Sequence, residues 1–464
     1  MRSVRTPAPS RRMSSRDAGF LYLERSDALL HIGCLAVVEG ELRLADLEQR
    51  VEARLERMRR YAQRAVPVPF SLGHPSWEDD PAFDVRNHVR RWSLPAPGGE
   101  PQLNETVAAL VEQPLDRSRP LWEMHLIEGL HGGRSAVFQK VHHCMVDGMA
   151  GAQLLEVLLD PRPTPGESVR PGPPARPLPG PGARLRSALL EGARERARGA
   201  AGALAALARP ASARSAVDKL RAAAWAALRL ATADVPSMPW NAPIGPRRRL
   251  EFTRLPLDGV RRVRAARGGT VNDVVLTVLA GGLHRYLQAS GIATRGVELT
   301  ALVPVSLRRA GEAEALGNRI SAMLVPLAVD PSEELPRLAA TRAITERLKQ
   351  KAAWTGIDAL LSALDGAPPA LVALAGRRLG VARIANLIAT NVPGPRETRW
   401  LAGARVESLQ PIVPIVAGLG LGLAVFSYDG WLHVGLNGDA DLLPDLGKLR
   451  QGIEDAFRAL LACA

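Results

Sequence analysis

The sequence predicts an α/β protein whose chain divides near its middle, and three observations support this prediction. Residues 135–141 are mainly apolar, β-branched or aromatic, which indicates a strand, and residues 149–159 follow as a buried helix. The pair Asp429-Gly430 separates two apolar runs, which is typical of a tight hairpin. Nine prolines fall between residues 161 and 181, which indicates an extended linker.

The length of the chain, 464 residues, is enough for two or three domains with a large core. We predict boundaries at residues 1–160, 161–240 and 241–464. Within the middle segment, residues 184–230 are rich in Ala, Arg and Leu and predict helices broken at Pro210. Such basic amphipathic helices either lie on a membrane surface or bridge two lobes with a solvated arginine face.

The stretch that indicates chemistry is His142-His143-Cys-Met-Val-Asp147-Gly148. Side chains alternate along a strand, so the two histidines point to opposite faces and only one of them can reach a given reacting atom. We expect His143 to act as a general base and His142 to be its structural neighbour. Gly148 permits a tight backbone turn behind the acid.

Other interpretations of this stretch exist. His142 can be a hydrogen-bonded core residue. A metal site is disfavoured, because opposed faces prevent chelation by the pair and the sequence has no further His/Cys cluster with ligand spacing. Cys144 can be proposed as a nucleophile, but no Cys–His signature surrounds it, and a small buried hydrophobe fits better.

The motif His-His-x-x-x-Asp-Gly resembles the active-site motif of the bacterial wax ester synthase/diacylglycerol acyltransferase family, and more loosely that of condensation domains and of carnitine and chloramphenicol acyltransferases. The resemblance spans the chain in order. It includes the segments Asp17–Glu24 with His31-Ile-Gly33, Trp77–Asp79 with Phe83-Asp84 and His88, Pro120-Leu-Trp122, Val271–Leu276 with Gly281-Gly-Leu283, Pro304–Arg308, Gly317–Ile320, Thr390–Pro395 and Ser427–Gly430. The chain departs from the family at Leu29-Leu30, where a proline–methionine pair is usual.

The resemblance implies two chloramphenicol-acetyltransferase-like lobes, each a mixed β-sheet with helices, and an active-site tunnel between them. It also implies acyl transfer from acyl-CoA to a diacylglycerol or a long-chain fatty alcohol. An alcohol needs a base near neutral pH, which histidine supplies, and a thioester needs no covalent acyl-enzyme. We therefore expect direct transfer with acyl-CoA as co-substrate and no cofactor.

The expected site contains further residues beside the two histidines. Asp147 joins the catalytic group in a structural role, with Arg308 as its candidate partner. Asn272 is either the N-cap of the helix that follows or a donor in the active site. Glu24 resembles the family's early acidic position on the acceptor side, and an exposed helix acid is the alternative.

The composition of the chain agrees with the expected acyl-CoA and lipid substrates. The chain has 60 Lys and Arg and 47 Asp and Glu, which gives a net charge of +13. This charge favours binding to the phosphates of acyl-CoA and to anionic membranes or lipid droplets. Nucleic acid is disfavoured, because no nucleic-acid-binding motif accompanies the charge. The three cysteines are widely spaced, which argues against a disulfide framework and predicts that the protein lies in the reducing cytoplasm. No signal peptide or transmembrane span is apparent, so we expect peripheral association with the inner membrane face or lipid inclusions.

Two alternative functions stay open. The first is a condensation-type acyltransferase that acts on carrier-bound acyl groups. The second is a non-catalytic lipid-binding relative, which the intact histidines and Asp147 disfavour.

Overall fold

A computed structural model describes residues 12–146, 155–163, 176–207, 221, 235–306, 320–350, 368–378 and 383–464. The helices are α1 (Ser15–Leu23), α2 (Leu44–Arg54), α3 (Glu100–Val111), α4 (Pro181–Leu207), α5 (Leu257–Arg267), α6 (Val271–Ala289), α7 (Glu334–Gln350), α8 (Pro369–Arg378) and α9 (Leu446–Ala462). The strands are β1 (His31–Val38), β2 (Gln63–Val66), β3 (Ser76–Asp79), β4 (Val89–Ser93), β5 (Trp122–Leu130), β6 (Arg134–His142), β7 (Arg248–Pro256), β8 (Leu299–Ser306), β9 (Ile320–Leu327), β10 (Leu387–Val392), β11 (Trp400–Leu401), β12 (Ala404–Ile412), β13 (Leu421–Tyr428) and β14 (Trp431–Asp439).

The first six-stranded sheet has the order β11-β12-β1-β6-β5-β4. Most of its neighbours are antiparallel, and β4 runs parallel to β5. Gly132 and Gly133 join β5 to β6 with positive φ angles, which glycine adopts without strain. In the register of β1 and β6, His31 lies opposite His142. This pairing places two histidines side by side at one end of the sheet.

The second six-stranded sheet has the order β7-β14-β13-β10-β8-β9. Its central strands β13, β10 and β8 are parallel, whereas the outer pairs are antiparallel. The predicted Asp429-Gly430 hairpin is confirmed, since both residues have positive φ between β13 and β14. Both sheets are thus mixed and carry helices, as expected.

Two helices of the second lobe cross at close range. Helix α9 buries an apolar stripe at helical spacing, which includes Leu449, Ile453 and Leu460. An added Cβ on Gly282 of α6 would lie 2.4 Å from Ile453 Cγ1 and 2.9 Å from its backbone nitrogen. Only glycine therefore allows the observed approach of α6 and α9.

The two halves of the chain interlock. Strand β12 comes from the second half but pairs with β1 in the first sheet. Phe426 and Tyr428 of β13 pack in one apolar cluster with residues of the first half. Where the sheets approach each other, an added Cβ on Gly435 would lie 1.8 Å from the carbonyl oxygen of Pro411.

The strand predicted at residues 135–141 is confirmed and extends by one residue at each end. Of the helix predicted at 149–159, residues 155–158 are helical, and 149–154 lie outside the described residues. Helix α4 covers part of the predicted basic helices, and Pro210 lies outside the described residues. The domain boundaries stay predictions. Among the described residues, no helix combines the length and apolar character that a bilayer crossing requires.

Candidate active site

The two histidines of the motif lie where β6 ends and a turn begins. Backbone hydrogen bonds hold both of them: His142 N–H donates to Leu121 O at 2.9 Å, and His143 N–H donates to Leu30 O at 2.8 Å. Met145 N–H donates back to His142 O at 2.9 Å and closes the turn. These hydrogen bonds attach the turn to the residues that precede β5 and β1, the two neighbours of β6. They therefore hold the backbone of His143 in place.

His142 is a buried residue whose two ring nitrogens both face protein atoms. Its side chain is 1% exposed. The backbone N–H of Cys144 donates to His142 Nδ1 at 3.0 Å, so Nδ1 is the acceptor and a neutral ring carries its proton on Nε2. That nitrogen lies 3.2 Å from Glu24 Oε1. The predicted role as structural neighbour agrees with this environment.

Glu24, at the end of α1, connects the elements around the histidine turn. Its Oε1 lies 3.2 Å from Nε2 of both His142 and His31 and accepts from Leu30 N–H at 3.2 Å. The two imidazole contacts are electrostatic, because their alignment is poorer than that of a direct hydrogen bond. Oε2 accepts from Arg117 Nη2 at 2.6 Å. With 9% side-chain exposure, Glu24 is not the exposed acid that was one of its two expected roles.

The charge state of this cluster follows from its contacts. Burial acts to raise the pKa of Glu24, but contacts with His142, His31 and Arg117 outweigh burial and lower that pKa. Burial lowers the pKa of His31 to about 4, against the opposing effect of Glu24. At neutral pH, Glu24 is therefore an anion beside a neutral His31.

His143 differs from its neighbour in exposure and in its contacts. The residue is half-buried, and its ring stacks on Phe20 of α1 with ring centroids 4.0 Å apart and an interplanar angle of 7°. Phe20 and Glu24 lie one helical turn apart on α1, where Glu24 N–H donates to Phe20 O. One helix end thus supplies the ring against His143 and the carboxylate beside His142. His143 thus combines a stacked, half-buried ring with partial access to solvent, whereas His142 has no such access.

A second buried charge cluster lies on the same face of the sheet. Lys140 Nζ donates to Leu110 O and Gln113 O, both at 3.0 Å, and lies 3.1 Å from Glu123 Oε2. That oxygen also lies 3.2 Å from His125 Nε2. Burial acts to raise the pKa of Glu123, but His125 and Lys140 lower it to about 2. Each group has a partner, so this cluster stabilises the packing of β5 and β6 against α3.

The motif residues Pro120-Leu-Trp122 have structural roles at the start of β5. Trp122 is fully buried, and its Nε1–H donates to Tyr61 O at 2.8 Å. His88 stacks on the Trp122 ring with centroids 4.5 Å apart. The carbonyl of Leu121 accepts from His142 N–H, so this segment supports the end of β6.

Of the two roles expected for Asn272, N-cap or active-site donor, the N-cap is wrong. The N-cap of α6 is Thr270, whose Oγ1 accepts from Asp273 N–H at 3.2 Å, while Asp273 Oδ2 accepts from Thr270 N–H at 2.7 Å. This reciprocal pair is a capping box, a stronger cap than one amide side chain alone. Asn272 is exposed, and its Oδ1 accepts from Asn391 Nδ2 at 3.2 Å.

Three predicted site residues, Asp147, Gly148 and Arg308, lie outside the described residues. Conversely, Phe20, His31 and Arg117 belong to the described site although sequence reasoning did not select them. Phe20 and His31 stand in the segments Asp17–Glu24 and His31-Ile-Gly33 that resemble the family, so a signal existed for both. Arg117 reaches the site through packing between distant segments, which local spacing does not reveal.

Two alternative chemistries can be compared with the geometry. Cys144 is completely buried, and burial raises the pKa of its thiol well above the ordinary value, which opposes a role as nucleophile. Within the described ranges, no group of three or more His, Cys, Asp or Glu side chains is arranged to hold a metal ion.

Comparison with protein families and relatives identifies similar proteins. Residues 13–275 match the wax ester synthase/diacylglycerol acyltransferase catalytic domain, and residues 316–461 match the C-terminal domain of the same family. A probable diacylglycerol O-acyltransferase of Mycobacterium tuberculosis is 34% identical over 97% of this chain and 96% of its own length. A second, putative diacylglycerol O-acyltransferase of that organism is 33% identical over 98% of this chain and 91% of its own length.

Solved structures with the same architecture also exist. The wax ester synthase/diacylglycerol acyltransferase of Marinobacter aquaeolei VT8 matches with a TM-score of 0.69 and 26% identity, covering 97% of this chain and 98% of that one. The first condensation domain of the calcium-dependent antibiotic synthetase matches with a TM-score of 0.60 and 18% identity, covering 98% and 96%. At that identity, the second match concerns the fold alone.

Proposed function

The chain belongs to the wax ester synthase/diacylglycerol acyltransferase family and is an acyltransferase, and from this premise we propose that it moves a long-chain acyl group from acyl-CoA to a lipid hydroxyl. The acceptor is a diacylglycerol, a long-chain fatty alcohol or both. The names of the mycobacterial and Marinobacter relatives support these acceptors. Acyl-CoA serves as co-substrate, and no further cofactor takes part.

In this proposal His143 is the general base. Its imidazole takes the proton of the acceptor hydroxyl while the hydroxyl oxygen attacks the thioester carbonyl carbon. The C–S bond then breaks, and the proton passes from His143 to the departing CoA thiolate, so no acyl-enzyme forms. The observation that carries this assignment is the contrast between the pair: His143 is half-buried and stacked on Phe20, whereas His142 is buried against Glu24 and Cys144 N–H.

In this proposal Glu24 and Asp147 act through His143 and its turn, whereas Asn272 contacts the substrate. Glu24 is a positioning residue, because its Oε1 contacts His142 Nε2 and the N–H of Leu30, whose carbonyl accepts from His143 N–H. Asp147 has a structural role in the proposal, with Arg308 as its candidate partner. The proposal keeps for Gly148 its expected role, which is to permit a tight backbone turn after Asp147. Asn272 contributes an exposed amide on the substrate side.

The protein meets its lipid substrates at the cytoplasmic face of an anionic membrane or at lipid inclusions. The net charge of +13 supports this peripheral contact, because it attracts anionic lipid surfaces and the phosphates of CoA.

A product assay tests the proposal. Purified protein is incubated with labelled palmitoyl-CoA and either dioleoylglycerol or hexadecanol, and products are separated by thin-layer chromatography. His143→Ala should lower the rate by about a hundred- to ten-thousand-fold, the usual contribution of a general base. His131→Ala removes an exposed histidine from the β5–β6 turn and should leave the rate unchanged. Full activity of His143→Ala, or acyl transfer only from a carrier-bound donor, contradicts the proposal.

A further inference from the structure

One short loop carries two of the residues that hold the turn at the histidine pair. Residues 24–30 connect α1 to β1, and we call them the Glu24 loop. At its two ends, Glu24 Oε1 accepts from Leu30 N–H at 3.2 Å, and Leu30 O accepts from His143 N–H at 2.8 Å. The position of this loop therefore decides where the backbone of His143 lies.

The middle of the Glu24 loop is closed on itself. Arg25 N–H donates to Ala28 O at 3.2 Å, and Ala28 N–H donates to Arg25 O at 3.0 Å. Asp27 lies inside this closed turn. Because only five residues separate Glu24 from Leu30, a contact in the middle of the loop restrains both of its ends.

The second half of the chain makes such a contact. Arg248, the first residue of β7, donates from Nη2 to Asp27 O at 2.5 Å. The neighbouring Ala28 is 2% exposed and packs in a small apolar cluster whose other members come from the second half: Ile244, Ile415 and Leu442. The Glu24 loop therefore joins the histidine turn to the second lobe.

The guanidinium of Arg248 is fixed by its own surroundings. Its side chain is 6% exposed, and Nη1 donates to Gly245 O at 2.7 Å and to Arg247 O at 3.0 Å. Asp439 Oδ2 lies 4.0 Å from Nη1 and accepts from Gly245 N–H at 2.6 Å. Burial of a guanidinium is costly unless its donors find acceptors. Of these three carbonyl acceptors, only that of Asp27 belongs to the first half.

We propose that Arg248 is a positioning residue for acyl transfer, which acts from the second lobe. By binding the Glu24 loop at Asp27 O, it sets the place of Glu24 and of Leu30 O, and through them that of His143. Arg248 does not contact the substrate in this scheme. The inference rests on the proposed function, because the place of His143 matters for the rate only if His143 is the base.

Replacement of Arg248 tests this role in steady-state assays of CoA release. Arg248→Met keeps an apolar stem and removes the donors, so kcat should fall about tenfold with little change in KM. Arg248→Lys keeps the charge but not the fork of donors, and it should recover part of the rate. Asp439 still accepts from the N–H groups of Gly245, Asp441 and Leu442 without the guanidinium, so the variants should fold.

A double-mutant cycle separates positioning from general stabilisation. If Arg248 and Glu24 act on His143 through one loop, Arg248→Met/Glu24→Gln should be about as slow as Glu24→Gln alone. Independent effects would multiply and make the double variant about tenfold slower than that. Arg249→Met is the matched control, because Arg249 is the next residue of β7 and is exposed, and its kcat should equal that of the wild type. Thermal unfolding gives the folded fraction by which each rate is corrected.

Four outcomes overturn this inference: a wild-type kcat in Arg248→Met or in Glu24→Gln, a change in KM alone, multiplied losses in the double variant, or an equal loss in Arg249→Met. If Arg248→Met does not fold, Arg248→Gln takes its place under the same criteria. His143→Ala separates the two proposals. Full activity of that variant refutes the proposed function, whereas an inactive His143→Ala together with multiplied losses in the cycle refutes the role of Arg248 alone.

Discussion

Glu24 shows most clearly what single residues do in this site. From the sequence it is either a substrate-side acid or an exposed helix acid, because nothing local links it to the histidine pair more than a hundred positions later. In the fold its carboxylate contacts His142, His31, Leu30 N–H and Arg117. The chemical motif could be read from local spacing, whereas its supporting residues depend on the register of β1 against β6.

Glu24→Gln should lower kcat by about ten- to a hundredfold with little change in KM, which is the usual effect of losing a residue that orients a functional side chain. The reason is that a neutral amide holds His142 and the turn before His143 less firmly. Glu24→Asp keeps the charge and should recover part of the rate. Steady-state assays of CoA release measure both variants.

Glu39→Gln is the control, because Glu39 pairs with Arg405 at the surface. A kcat of wild-type size in Glu24→Gln, with an unchanged thermal midpoint, would refute the positioning role.

The buried histidines should make the fold sensitive to acid. The pKa of His31 is about 4 in the fold, chiefly because of burial, against an ordinary value of 6.5. Between these two pKa values, His31 is protonated in the unfolded chain but neutral in the fold. The free energy of unfolding is therefore highest above the unfolded-state pKa and falls as the pH drops toward the pKa in the fold. Between about pH 7 and about pH 5, His31 alone should lower the free energy of unfolding by about 2 kcal/mol. His433, whose pKa burial also lowers to about 4, acts in the same direction.

Thermal midpoints across this pH range measure the effect. His31→Gln should flatten the dependence, and a midpoint that does not fall in acid would contradict the prediction.

Elements with a strong local pattern could be predicted from the sequence, and those set by tertiary contacts could not. The apolar run of β6 and the Asp429-Gly430 turn are local signals, and both are confirmed. For Asn272 the sequence leaves two roles open, N-cap of α6 or donor in the active site, although Thr270 and Asp273 have the spacing of a capping box. The N-cap role is wrong, because the reciprocal pair of Thr270 and Asp273 caps this helix.

The crossing of α6 and α9 should depend on Gly282. In Gly282→Ala the new methyl group meets Ile453, including its backbone nitrogen, so the helices must separate. Overpacking of this kind costs about 1–3 kcal/mol, which exceeds the roughly 0.5–1 kcal/mol that alanine gains inside a helix. Chemical denaturation should therefore show a lower free energy of unfolding for the second lobe.

Gly182→Ala is the matched control, because nothing lies within 4 Å of an added Cβ there. Equal stability of Gly282→Ala and the wild type would mean that α9 moves aside without cost.

At the scale of the whole molecule, two features join the lobes: strand β12 of the second half belongs to the first sheet, and both halves contribute to one apolar cluster. The sequence predicts a division near the middle, and the family resemblance implies two lobes. Neither reveals that β12 belongs to the first sheet, because long-range strand pairing leaves no local periodicity. The contact of Gly435 with Pro411 likewise depends on how the two sheets approach each other.

Gly435→Ala should weaken the joint between the lobes. The added methyl group overlaps the carbonyl oxygen of Pro411, a backbone atom that cannot rotate away, so the loss should reach about 3 kcal/mol or more. Differential scanning calorimetry should show a lower midpoint and less cooperative unfolding. Gly180→Ala, where an added Cβ meets no atom, serves as control, and an unchanged thermogram for Gly435→Ala would contradict the prediction.

The pairing of β12 with β1 also decides where this chain can be recombined with a homologue. A chimera joined in the proline-rich region would combine β1 from one parent with β12 from the other, so the cross-strand side-chain pairs of that ladder would come from different parents. A fragment that ends before residue 400 would leave β1 as an open, aggregation-prone edge. Hybrid enzymes therefore need residues 400–412 from the same parent as the first half.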